Sequence, residues 1–163
     1  MPRNPAVTVR EATTEDAATI VRLVHALARF ENAPPDTVKI TVADVLRDGF
    51  GEPRRFETLL AELDGVAVGF ALYFHNYSTW EGRAGLFVED LFVEEHARRL
   101  GAGRKLLAAI ARAARDRGCP RIDLCVLDWN PARDFCHRIG ISHLEEWLPY
   151  RMTEPAISAL ANQ

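Results

Sequence analysis

Residues 85–93 read GLFVEDLFV, an apolar run of strand character interrupted by two adjacent carboxylates, Glu89 and Asp90. Charged groups are costly to bury, so acids inside such a run need a reason beyond packing. On a regular strand they would point to opposite faces unless a bulge intervenes. Shortly after them, residues 98–107 read RRLGAGRKLL, in which two closely spaced glycines, Gly101 and Gly103, lead into a helical pattern. The N–H groups at a helix N-terminus lack partners and carry partial positive charge, and a glycine-rich approach lets phosphate oxygens come close. The segment therefore reads as a pyrophosphate site, with a tight turn as the plainer alternative. It is not a dinucleotide fingerprint, because Leu106 stands where GxGxxG needs its third glycine. Nor is it a P-loop, because Arg104, Lys105 and Leu106 follow Gly103 where that motif has Lys and then Ser or Thr. The three cysteines, Cys119, Cys125 and Cys136, form neither a CxxC pair nor an even-numbered framework, so neither disulfides nor a metal site is expected.

The elements that must position these groups follow from periodicity. Residues 7–10 alternate as a short strand. Thr13 or Thr14 can cap a helix in which Ala17, Ile20, Val21, Val24, Leu27 and Phe30 recur at helical spacing. A second helix is expected over residues 41–46, opened by Thr41 and stopped by Gly49. Residues 57–63 and 66–74 flank Asp64-Gly65, a strong hairpin signal. A polar turn over residues 75–83 then leads to the strand that carries Glu89. The helix after Gly103 shows Leu106, Leu107, Ile110, Ala111 and Ala114 on one face and ends at Gly118. A strand over 122–127, a short helix over 131–139, a strand over 143–152 and a C-terminal helix complete an α/β pattern with a mixed sheet.

Composition narrows the function classes. The chain has 163 residues, 48% hydrophobic and 26% charged, which suits one globular domain spanning 1–163 and excludes a disordered chain. A net charge of −3 argues against a nucleic-acid binder and is compatible with a small cation. Apolar runs are too short for a membrane span, and the first residues lack the apolar core of a secretory signal, so a cytoplasmic location is expected.

The glycine motif, read as R-x-x-G-x-G directly after a strand, resembles the GNAT acetyltransferase superfamily. Within it, RLVHALARFE (22–31), DGFGE (48–52), VGFALYF (68–74), STWEG (78–82), VEDLFV (88–93) and LDWN (127–130) resemble the spermidine/spermine (diamine) and thialysine acetyltransferases. The resemblance implies a single-domain GNAT fold: a mixed, mostly antiparallel central sheet flanked by helices, with two parallel strands that splay apart at the acetyl-CoA site. It implies that backbone groups of Leu91, Phe92 and Val93 pair with the pantetheine arm. Arg98, Arg99, Leu100, Gly101, Ala102, Gly103 and Arg104 would cradle the pyrophosphate, and Asn130 would line the acetyl-CoA side.

By the same resemblance Glu89 is the general base that deprotonates an ammonium substrate before it attacks the thioester, and burial beside the strand would strengthen it for that task. Phe30, Glu31, Trp80, Glu81 and Asp90 would hold the amine, since carboxylates pair with ammonium groups and an indole face attracts cations. A homodimer is implied, with the interface helping to form the amine site. Two departures stand out. Ser78 replaces an acidic residue of the family, which favours a shorter amine over a long polyamine. Cys136 replaces the tyrosine that protonates the leaving thiolate. A thiol, with an unperturbed pKa of about 8.5, could donate a proton, but Cys136 is expected only to pack. The leading expectation is an acetyl-CoA-dependent N-acetyltransferase acting on a small primary amine by direct attack. The alternatives are a catalytically degenerate acyl-CoA-binding protein and an acetyltransferase acting on a protein or peptide amine.

Overall fold

The computed structural model describes residues 6–163, so any reading of the first five residues as leader or non-leader lies outside the described residues. The chain divides into two compact units, one running through Leu127 and the other Asp128–Gln163.

The first unit is built on a five-stranded sheet in the order β1 (Val7–Glu11), β2 (Glu57–Leu63), β3 (Val66–Ser78), β4 (Arg83–Val93) and β5 (Ile122–Leu124). All neighbours are antiparallel except β4 and β5. The β2–β3 hairpin turns at Asp64 and Gly65, both at positive φ, as the Asp-Gly pair requires. Its neighbour turns later than the sequence suggests. Residues 75–78 stay in β3, paired with Leu86, Gly85, Ala84 and Arg83, so the polar turn shrinks to residues 79–82. Their polar side chains alternate outward, and cross-strand pairing outweighs their turn propensity.

Helix α1 (Ala17–Phe30) follows a single 3-10 turn whose start is held by the Thr13 N–H donating to Asp16 Oδ2 at 2.8 Å. Helix α2 (Val42–Phe50) opens on a reciprocal cap: Asp44 N–H donates to Thr41 Oγ1 at 3.2 Å, and Thr41 N–H to Asp44 Oδ2 at 2.9 Å. It runs one residue past Gly49. That glycine serves close packing instead of termination, since a Cβ there would lie 2.8 Å from the Phe56 ring. Helices α1 and α2 cover one face of the sheet, where Ile20, Leu23 and Val45 pack on the row Leu60, Phe70 and Phe92 and on Leu72. Helix α3 (Ala102–Asp116) packs against β1 to β4, burying Leu106, Leu107 and Ile110.

The second unit holds α4 (Ala132–Arg138) and α5 (Glu154–Ala161). The strand expected over 143–152 is not formed. Its apolar residues are exposed, Tyr150 to 92%. A strand exists only with a partner, and this unit has no other among its described residues. β5 is likewise shorter than expected, ending at Leu124 instead of Leu127.

Candidate active site

The parallel ladder of β4 and β5 runs only through Leu86↔Ile122, Phe87↔Asp123 and Val88↔Leu124. The next residue of β4 is Glu89, and the β3–β4 register breaks there: Tyr73 faces Val88 and Leu72 faces Asp90, leaving Glu89 as the extra residue of a β-bulge. The two irregularities coincide. Beyond Val88, one side of β4 has no partner strand among the described residues.

The bulge also decides which way the acids point. Cross-strand partners share a face, so Asp90 opposite Leu72 lies on the α1 side together with Phe92, whereas Val88 stays opposite Tyr73 on the other. Glu89 is exposed, so the burial expected for it does not occur; Asp90 is the half-buried acid. Burial, then the charges of Glu89 and Glu31, push the Asp90 carboxyl up to about 6. Burial also raises Glu31, which directly follows α1. Glu31, Glu89 and Asp90 thus form one electrostatic group at the end of α1, where the helix dipole adds further negative potential.

Trp80 and Glu81 do not join it within the chain. They sit in the β3–β4 turn, Trp80 exposed to 92%, with the Glu81 N–H donating to Ser78 Oγ at 3.2 Å. At about 3.3 Å per strand residue, the six steps from Arg83 to Glu89 place that turn roughly 20 Å away.

The Glu94 N–H donates to Val68 O at 2.8 Å, which sets the phase of the β3–β4 ladder. Stepping back by twos, the main-chain groups of Phe92 and Asp90 face β3, and those of Leu91 and Val93 face the open side. Leu91 and the Val93 N–H can therefore pair with an arm lying along that edge, while the Val93 carbonyl already accepts from Arg98 Nε at 2.9 Å. Phe92 cannot: its main chain is committed to β3 and its ring to the core.

The helix end beside this edge is uncapped by any side chain. Gly101 is its N-cap at φ 86°, and the Gly101 carbonyl accepts the first helical bond from Lys105 N–H at 3.0 Å. Ala102, Gly103 and Arg104 form the first turn, so Gly103 lies inside the helix and not in the preceding loop. Their N–H groups point away from the helix without intrahelical acceptors. Arg99, at φ 63°, and Gly101 are both left-handed, and a Cβ at Gly101 would meet nothing within 4 Å. The space at this helix end is open.

Arg98 departs from its expected place. Its guanidinium turns from the helix end to lie 4.3 Å from the Phe30 ring centroid and 5.9 Å from that of Phe92, and its Nε donates to Val93 O at 2.9 Å. Arg98 thus joins the end of α1 to the end of β4, and of the three arginines Arg99 and Arg104 keep exposed side chains beside the start of α3. Nothing in the sequence marks this contact, because it depends on where α1 ends. A cavity of about 390 Å³, lined by Leu59, Tyr73, Arg117 and others, lies between the sheet and α3 and contains none of the site residues.

In the second unit Asn130 Oδ1 accepts the Ala132 N–H at 2.9 Å and so starts α4. Cys136 is 5% exposed on α4, and burial pushes its thiol up, away from easy ionisation. Cys136→Ala is expected to lower stability by about 1 kcal/mol through a small cavity. Turnover per folded molecule should stay within about threefold, well short of the ~10²-fold loss expected for an acid catalyst. Steady-state rates normalised to folded protein check this.

Comparison with known proteins gives the family and the fold. The Acetyltransferase (GNAT) family matches residues 23–141. The chain is 36% identical to a thialysine N-epsilon-acetyltransferase of Bos taurus over 96% of this chain and 98% of the relative. It is 37% identical to an L-ornithine N5-acetyltransferase of Arabidopsis thaliana over 67% of this chain and 49% of that one. An integron cassette protein from V. cholerae superposes with a TM-score of 0.80 at 23% identity, covering 98% of this chain and all of the other. An aminoglycoside N-acetyltransferase in complex with CoA gives 0.74 at 22% identity, covering 93% and 98%. The chain belongs to the Acetyltransferase (GNAT) family and is an acetyltransferase.

Proposed function

We propose that the enzyme transfers the acetyl group of acetyl-CoA to a primary amine of a small diamine, polyamine or thialysine-like molecule by direct attack, without a covalent enzyme intermediate. The observation that supports this reading is a run of three features along residues 88–104: the carboxylates of the bulge, the open edge of β4 and the uncapped end of α3. Leu91 and Val93 would hold the pantetheine arm, and the N–H groups of Ala102, Gly103 and Arg104 the pyrophosphate. Acetyl-CoA supplies the thioester that the amine attacks. The carboxylates attract the ammonium group and take its proton. The names of the relatives at 36% and 37% identity support a small amine.

The family match crosses the boundary between the two units, which supports a single acetyltransferase domain. Retention of the acids speaks against a degenerate binding protein. Release of free CoA on mixing enzyme and acetyl-CoA with thialysine, L-ornithine or spermidine tests the function. Turnover of at least one is expected, with the shorter amines favoured. Binding of acetyl-CoA with no turnover of any would leave the degenerate reading standing, and turnover only of peptide amines would move the substrate class.

A homodimer belongs to the same proposal. Trp147, Leu148, Tyr150 and Met152 are all more than half exposed, an apolar stretch that a second copy would cover. Light scattering should give about twice the 18.3 kDa chain mass, and a monomer at working concentration would refute it.

A further inference from the structure

We propose that the cavity between the sheet and α3 is a second binding site, and that it takes a small organic cation with an aliphatic chain. The inference goes beyond the transfer function and does not depend on it, since none of the residues assigned above to acetyl-CoA or to the amine lines this space.

The cavity has a cause in the sequence. Leu106, Leu107 and Ile110 are buried and fill most of the interface between α3 and the sheet. Ala109 and Ala113, four residues apart on one helix face, are too short to meet Val9 and Leu59 across it, and a space of about 390 Å³ is left. That volume lies within the range of roughly 300–1,000 Å³ found for small-molecule sites.

The polar end is already held in place. Tyr73, 2% exposed, pairs across the ladder with Glu57, and its hydroxyl donates to Glu57 Oε2 at 3.1 Å. Arg117 forks onto the same carboxylate, Nη1 donating to Oε1 at 2.6 Å and Nη2 to Oε2 at 2.7 Å. Walls fixed in this way need little ordering when a ligand enters.

Charge decides which ligand. Arg117 is neutralised by Glu57. Arg10 sends its guanidinium to Asp16 and Glu62, and Asp116 is paired with Arg115 at 2.8 Å. Glu11 remains. It is exposed, lies opposite Leu59 and so on the same face of the sheet, and among the described residues its side chain has no hydrogen bond or ion pair. The uncompensated charge at the mouth is therefore a carboxylate beside an apolar floor. An ammonium group would pair with Glu11 while its chain covers Val9, Leu59 and the two alanines, whereas an anion of the same shape would be repelled.

The experiment is an NMR titration of the protein, without acetyl-CoA, with 1-aminopentane, pentan-1-ol and pentanoate. The amine should shift the amides of Val9, Ala109 and Ala113 saturably, with Kd on the order of a millimolar, about three- to tenfold tighter than the alcohol and tighter still than the acid. Glu11→Gln should bring the amine down to the affinity of the alcohol and leave the alcohol unchanged. Ala113→Leu, which fills the space, should abolish the shifts at Val9 and Ala109 for every probe. Cooperative thermal unfolding checks that each variant folds, and Glu11→Gln, at the exposed rim, carries the test if Ala113→Leu does not. The site is overturned if these amides show no saturable shift up to about 50 mM amine, or if the amine shifts only residues around Glu31, Glu89 and Asp90. Its cation preference is overturned if alcohol or acid binds as well as the amine, or if the preference survives Glu11→Gln.

Discussion

Gly101→Glu should lower the affinity for acetyl-CoA by about ten- to a hundredfold or more. Gly101 is the N-cap of α3 and has a left-handed backbone, with no atom within 4 Å of the place a Cβ would take. The space is therefore open toward whatever approaches the helix end. A glutamate side chain would fill it and set a carboxylate against the same N–H groups that a pyrophosphate would use. Each charge-assisted hydrogen bond lost costs ~1.5–3 kcal/mol, and every ~1.4 kcal/mol is tenfold in affinity. Gly101→Ala separates this cause from backbone strain. It bears the same left-handed penalty, about 1–2 kcal/mol, but adds only a methyl group and no charge, so it should cost stability and keep most of the affinity. Calorimetric titration of acetyl-CoA into both variants decides the point: equal affinities for Gly101→Glu and the wild type would remove the anion site from the end of α3.

The glycine motif could be read from the sequence because it is local. The spacing that opens α3 is written in six consecutive residues, and the start of α2 in Thr41 and Asp44. Features that depend on pairing were less legible. The β3 strand runs four residues past Phe74 because β4 lies beside it, and residues 143–152 carry a strand pattern but find no strand in their own unit. The bulge at Glu89 is the clearest case. Adjacent acids in an apolar run raise the question of a bulge, but only the register with β3 shows which of the two is extra, and hence which is buried. Arg98 illustrates the same limit from the other side: its motif position suggests a phosphate, whereas its actual neighbours, Phe30 and Val93, are 68 positions upstream in one case and five in the other.

If Asp90 is held near 6 by its surroundings, the folded chain must also become less stable as it ionises, and this should be measurable without any substrate. The folded carboxyl keeps its proton to about pH 6, whereas in the unfolded chain it loses it near the usual 3.8. Between those values the folded state binds more protons, so stability falls as pH rises through the window and levels off above it. At ~1.36 kcal/mol for each pKa unit, the loss has a ceiling of about 3 kcal/mol. Other carboxylates obscure this in the wild type alone. Asp16, held at about 2 by Arg10, and Glu57, lowered by Arg117, lose stabilising contacts in acid and act in the opposite direction. Asp90→Asn cancels them, because only the Asp90 contribution differs between the two proteins. In urea unfolding, the stability of Asp90→Asn relative to the wild type should grow by about 2 kcal/mol between pH 4.5 and 7 and stay level to pH 8. Saturating L-ornithine should shrink that difference at pH 7 if its ammonium group settles among Glu31, Glu89 and Asp90, since the cation then relieves in the wild type the repulsion that the variant lacks. A difference independent of pH would mean that Asp90 ionises as easily in the fold as out of it, and that neither its burial nor the charges of Glu89 and Glu31 act on it.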